Sequence, residues 1–234
     1  MSAEREERGP RPPADGVSAR LVARFARADA LTGGLRERAG LACPPGCGAC
    51  CLSPEVETTA LELRPLAREL ARAGRAGALL AELARRASAG DARCVLYAPE
   101  PGDARRGRCT AYGLRPLVCR LFGFAARRDR AGRLELVACR TMRAWDPAAV
   151  SRAERDVAAG GTAAVLPDEA HALAAEFPDA GARRLPINAA LARALERELL
   201  RCRLRALERR AGDEHDGPRP RPVPRRPRRP RRAA

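Results

Sequence analysis

Lysine is absent from this 234-residue chain; all 45 basic residues are arginine. Alanine, glycine and proline are abundant, and the pattern reads as a compositional bias in the coding DNA. The net charge of +16 therefore does not by itself identify a nucleic-acid partner. Aromatic residues make up 3%, so any core has to be built from Leu, Val and Ala. Too few aromatics are interleaved with the arginines to stack bases, which argues against sequence-specific reading of RNA. There are two histidines, His171 and His215, neither near a cysteine cluster in sequence, and no convincing general base stands out. No run approaches the roughly 18 consecutive apolar residues of a membrane span. Residues 1–17 are charged and proline-rich rather than apolar, unlike a secretory leader. A cytoplasmic location is expected, where thiols stay reduced.

Cysteine is what the chain has in excess. Four fall within nine residues, Cys43-x3-Cys47-x2-Cys50-Cys51, and Cys94, Cys109, Cys119 and Cys139 follow. In a reducing compartment, clustered cysteines read as metal ligands rather than as a disulfide framework. Vicinal Cys50 and Cys51 pair poorly with each other, while both can face one centre. Pro44, Pro45, Gly46 and Gly48 force an irregular turn, which suits a metal knuckle. Zinc takes four ligands in a tetrahedron, and iron–sulfur clusters also take thiolates. Eight cysteines fit two four-cysteine sites, or one cluster with extra structural thiols. Cys202 shares a helical face with apolar residues and is expected to be a buried small hydrophobe. His171 and His215 are not expected to ligate. Tyr112 and Phe122 are expected in the core.

The pattern predicts an α+β, helix-rich fold: a small Cys-rich metal-binding domain with short strands, flanking helices and a long C-terminal helix. Residues 1–17 are expected to be disordered, 18–145 to form the cysteine-cluster domain, 146–212 a helical extension, and 213–234 a disordered tail. A first helix is expected from Ser18, as N-cap, to a break at Gly33-Gly34. Thr58 and Thr59 are expected to open a helix to about Ala73, kinked or delayed by Pro65. A second follows over about 76–87. Extended runs are expected at 94–97, 108–110, 121–125 and 134–138, and short helices at 147–159 and 168–176. The last helix is expected over 186–211, with Pro186 in its first turn and Gly212 ending it. Residues 217–234 hold eight Arg, six Pro and no acids; such a segment cannot pack a core.

The four-cysteine cluster, together with Cys109-Thr-Ala-Tyr112-Gly-Leu-Arg115-Pro116-Leu-Val-Cys119-Arg120-Leu-Phe122, resembles the YkgJ-type cysteine-cluster family over about residues 41–140. That resemblance implies a zinc- or iron-chelating domain whose biochemical role is mostly undefined. It carries over Cys43, Cys47, Cys50, Cys51, Cys109, Cys119, Arg115 and Pro116; Cys94 and Cys139 match by position. Arg115 and Arg120 flank Cys119. Either they bond backbone and carboxylate groups, or they balance the charge of a four-thiolate site.

Three functions are compared. The first is a non-catalytic module that holds zinc or iron, with an iron–sulfur cluster as one form. The second is an iron–sulfur enzyme. Cys-x3-Cys-x2-Cys is also the spacing of radical SAM enzymes, but Ala49 stands where an aromatic is usual, a fourth cysteine follows directly, and no repeated strand–helix units support a barrel. Flagellin lysine N-methylases contain a similar cysteine region, so methyl transfer enters by analogy. The third is a nucleic-acid-associated zinc protein using the Arg-rich tail for non-specific polyanion contact.

Overall fold

The computed structural model describes residues 15–178 and 183–215, without the side chains of 211–215. The proline-rich start and the Arg/Pro tail anticipated above lie outside these residues, apart from residues 15–17 and 213–215, all of which but Asp15 are helical. The described chain is helix-rich with short strands, an α+β fold ending in a long helix. By compactness it divides into a unit ending at Leu199 and a second beginning at Leu200.

Helix α1 (Gly16–Ala39) is longer than its sequence suggests. Asp15, not Ser18, caps it: the Ser18 N–H donates to Asp15 Oδ1 at 2.7 Å. Gly33 and Gly34 do not break it, although each glycine costs roughly 1 kcal/mol in a helix interior. Leu35, Ala39 and the following Leu41 are buried beyond them, and a fully buried leucine contributes about 1.5–3 kcal/mol. The helix stops at Gly40, whose φ of +67° gives a left-handed cap.

Helix α2 (Ala49–Leu52) is one turn. Strand β1 (Glu57–Thr59) replaces the expected helix start at Thr58 and Thr59. A turn follows, held by a reciprocal pair of bonds. The Glu62 N–H donates to Thr59 Oγ1, and the Thr59 N–H donates to Glu62 Oε1, a capping-box arrangement. Helix α3 (Arg64–Arg72) then begins with Pro65 in its first turn, so the proline delays the helix rather than kinking it. Helix α4 (Ala76–Ser88) agrees with its apolar spacing.

The residues around Cys94 form a turn, and strand β2 (Tyr97–Glu100) starts where the expected strand ends. It pairs antiparallel with β3 (Asp103–Cys109), matching Tyr97 to Cys109. Helix α5 (Leu117–Leu121) ends where the extended run expected at 121–125 begins, and a turn takes 122–124 before the next strand. Strand β4 (Ala125–Arg128) pairs antiparallel with β5 (Leu134–Leu136). Helices α6 (Arg140–Trp145) and α7 (Pro147–Ala158) follow, and Asp146 caps α7 through the Ala149 N–H. Strand β6 (Ala164–Val165) runs parallel to β4 and leads into α8 (Leu166–Glu176). Strand β7 (Arg184–Pro186) pairs with β1, so Pro186 lies in a strand rather than in a helix. The last helix, α9 (Ile187–His215), runs through Gly212 instead of ending there.

Three apolar clusters build the first unit. Leu63, Leu66, Leu70, Leu83, Leu191 and Leu195 join α3, α4 and the first turns of α9. Leu21, Phe25, Leu117 and Leu121 join α1 to α5, with Leu173 from α8. Leu35, Leu136, Met142 and Val150 join the end of α1 to β5, α6 and α7. The cysteines fringe these clusters: Cys51, Cys109 and Cys119 pack against the first and Cys139 against the third. In the second unit Leu200, Leu204 and Leu207 are exposed, and so is Cys202. Cys202 is therefore not the buried hydrophobe its helical face suggested, although Ile187, Leu191 and Leu195 of that face are buried.

Candidate metal centre

The eight cysteines come from separate pieces of structure that backbone bonds tie together. Cys43 and Cys47 flank a tight turn, where the Cys47 N–H donates to Pro44 O at 3.1 Å. That turn lies against β3: Cys47 bridges Arg106, and the Gly107 N–H donates to Gly46 O at 2.9 Å. Gly46 sits at φ +68°, and a Cβ there would meet Glu100 Oε1 at 2.7 Å, so this corner requires glycine. Cys50 and Cys51 ride on α2. The Cys94 N–H donates to Cys51 O at 2.9 Å. Asn188, in the first turn of α9, clamps the Cys94 segment by accepting the Val95 N–H at 3.0 Å and donating to Arg93 O at 2.8 Å. Cys109 ends β3, Cys119 lies in α5, and Cys139 sits just before the first turn of α6.

These eight residues line two cavities. One, of about 660 Å³, is lined by Cys43, Cys47, Cys50, Cys119 and Cys139. The other, of about 530 Å³, is lined by Cys43, Cys47, Cys50, Cys51, Cys94, Cys109 and Cys119. Four cysteines therefore face both. All nine cysteines of the chain are free thiols. Among the described residues, no three His, Cys, Asp or Glu side chains stand ready-made as a metal shell. The donor set thus fits a thiophilic metal by chemistry, number and shared cavities, not by a closed coordination sphere.

The electrostatics bind the cysteines into a common system. Burial, with charge on Cys47, Cys50 and Cys139, raises Cys43 to about 11. Burial also raises Cys94 to about 11, and raises Cys109 and Cys119. Cys50 goes the other way, to about 6: it accepts a hydrogen bond from the Cys51 thiol, and Arg115 lies nearby. Cys51, holding that proton, is raised. Charge on Cys50 contributes to the rise at Cys43, Cys51, Cys94, Cys109 and Cys119, so the doublet is the common point of the set.

Arg115 and Arg120 both reach backbone carbonyls. Arg115 donates to Tyr112 O and Cys119 O and stacks 3.4 Å above the Tyr112 ring. Arg120 donates to Arg115 O and Gly113 O and pairs with Asp29 of α1. Tyr112 and Phe122 are not core residues: they are 61% and 42% exposed, because the turn and α5 present them at the rim of the larger cavity. His171 is exposed on α8.

Sequence reasoning missed three residues in the cavity wall, Asp29, Arg36 and Phe124, and the clamp Asn188. For α1 a signal existed. Phe25, Asp29, Thr32 and Arg36 recur at helical spacing, which puts polar residues on an otherwise apolar face. For Asn188 there was none, because its partners are more than ninety residues away.

The comparison with protein families meets this geometry directly. Residues 42–142 match the CxxCxxCC family, described as a putative zinc- or iron-chelating domain. The match contains all eight clustered cysteines and leaves out Cys202. The first interval in the matched segment, Cys43-x3-Cys47, is one residue longer than in the family label. No curated protein and no solved structure matches the chain. No described helix is long and apolar enough to cross a membrane.

Proposed function

We propose that the CxxCxxCC domain holds zinc or iron through all eight clustered cysteines, as two four-thiolate sites that abut at the Cys50–Cys51 doublet. Cys51, Cys94, Cys109 and Cys119 form one set, and Cys43, Cys47, Cys50 and Cys139 the other. The observation that carries this reading is the sharing of two cavities by eight free thiols drawn from distant parts of the chain. The electrostatic neighbours fit two sets that meet at Cys50: Cys43 feels Cys47, Cys50 and Cys139, whereas Cys51 feels Cys50 first and then Cys94 and Cys109. Cys50, the thiol most readily ionised, is the first donor to a metal, since the thiolate is the ligand. The remaining thiols lose their protons as the metal draws them in. A four-thiolate site has no open position for a substrate, so the role is to hold metal rather than to present it for catalysis. Arg115 and Arg120 stand beside Cys119 and offset the negative charge that four thiolates keep around a divalent ion.

The test is metal analysis with visible spectra of anaerobically purified protein, wild type and single variants. Iron–sulfur sites show charge-transfer colour; zinc shows none. Cys94→Ser and Cys139→Ser should each lose about half of the bound metal, and Cys47→Ser and Cys119→Ser should also release metal. Cys202→Ala should keep it all. Loss of all the metal from either Cys94→Ser or Cys139→Ser would replace the two sites by one joint cluster. Full metal in both Cys47→Ser and Cys119→Ser would refute the ligand assignment.

A further inference from the structure

The chain has seven aromatic residues, and four of them, Phe25, Tyr112, Phe122 and Phe124, line the larger cavity. Core packing accounts for two of them, since Phe25 is buried in one apolar cluster and Phe124 packs against another, but Tyr112 and Phe122 are exposed at the cavity. The cavity, at about 660 Å³, falls within the range of small-molecule sites. Five cysteines of the set and one face of α1 line it.

The polar groups in this cavity are donors with few acceptors to match. The Arg36 side chain makes no hydrogen bond or ion pair among the described residues; its guanidinium lies 5.3 Å from the centre of the Phe124 ring. A guanidinium offers five N–H donors in a planar fork. Arg115 spends donors on two backbone carbonyls and faces no carboxylate. The carboxylate in the wall, Asp29, is already paired with Arg120. A ligand for this space brings acceptors to Arg36 and a flat apolar body to the aromatic rings. Arg36 also matches a carboxylate or phosphate bidentately, in a way that a neutral group does not.

We propose that this cavity is a binding site for a small organic anion with a planar apolar portion. Its anionic group is held by Arg36, and its ring lies between Phe122, Phe124 and Tyr112, in the cavity that the cysteines share. The proposal uses the metal reading only to place a metal beside the ligand; the donor inventory and the aromatic wall stand without it.

The experiment uses the full chain as purified, with metal content measured on the same samples. Titration calorimetry compares 2-naphthoate with 2-naphthamide, which has the same ring and no charge. The expected result is saturable binding with the acid preferred by roughly tenfold or more, the worth of a charge-assisted hydrogen bond. Arg36→Ala should abolish that preference, and Arg36→Lys should keep part of it. Phe122→Ala should weaken acid and amide alike. Both positions are exposed, so circular dichroism and metal content should stay at wild-type values. Equal binding of acid and amide, no saturable binding, or an unchanged preference in Arg36→Ala would overturn the proposal. A metal-free chain that retains the preference would refute the metal reading and leave this one intact. Bound metal with no preference would do the reverse.

Discussion

Glu62 shows how a single buried carboxylate reaches the cysteine set. It is 2% exposed. One oxygen accepts from Thr59, and the other accepts the Leu117 N–H at 2.9 Å, in the first turn of α5. That turn carries Cys119 two residues on. Glu62→Ala strands buried donors at both ends, a loss of about 1–3 kcal/mol, or about 2–4 °C in Tm per kcal/mol for a domain of this size. Glu62→Gln keeps an acceptor on one side and should lose less. Thermal unfolding checks the order, and equal stability of both variants with wild type would remove Glu62 from this role. Gly123 poses the same kind of test next to Cys139: its φ is +81°, and a Cβ there meets Met142 Sδ at 2.7 Å. Gly123→Ala is strained by its backbone alone and also pushes on the α6 residues behind Cys139. It should destabilise the chain and crowd Cys139, whose Cβ would lie 3.2 Å from the new methyl group. Residues of this kind divide by legibility. The cysteines and the tight-turn glycines announce themselves by type and spacing. Glu62, Asn188 and Arg36 work through partners that only the fold supplies, so no local pattern marks them.

At the scale of elements, legibility follows how far each segment relies on its own pattern. Helices α4, α7 and α8 were readable from their apolar spacing, and α7 also has a side-chain cap in Asp146. The glycines of α1 pointed to a break because propensity favours one; burial of Leu35 and Ala39 overrode it. Thr58 and Thr59 pointed to a helix start, but β7, more than a hundred residues later, recruits them into a strand. Cys94–Leu96 reads as a strand from its apolar residues, yet bonds to Cys51 and Asn188 hold it as a turn. The segments that were misread around the site are those the cysteines pin from outside, which makes them the segments expected to depend on metal. Chelator treatment followed by hydrogen exchange should therefore raise exchange in residues 41–140 more than in the last helix. The turn at 43–47 and the Cys94 turn should respond first. Uniform protection with and without chelator would show that the apolar clusters hold these segments unaided.

At the scale of the whole molecule, the spacing of the cysteines pointed to a thiol centre and left its topology open. Intervals of 15, 10 and 20 residues after Cys94 become meaningful only once β3, α5 and α6 return to the same cavities. The charge of the molecule divides in a comparable way. Half of the +16 lies in residues 217–234, with eight Arg, six Pro and no acids, a composition poor in the apolar residues that a core needs. The tail is expected to be dispensable for metal binding and to give the chain non-specific affinity for polyanions. An extended run of guanidinium groups can reach successive phosphates without a folded surface. With six to ten phosphate contacts, affinity falls by about 10³–10⁵ between roughly 50 and 200 mM salt, and fewer contacts give a shallower slope. The full chain and a chain ending at Asp216 are to be compared on RNA and DNA across a salt series, with metal content measured on both. Equal metal in the two, with steep salt-dependent binding by the full chain alone, is the expected outcome. Equal nucleic-acid binding by both would move the basic function onto residues 1–216, where the remaining positive charge lies.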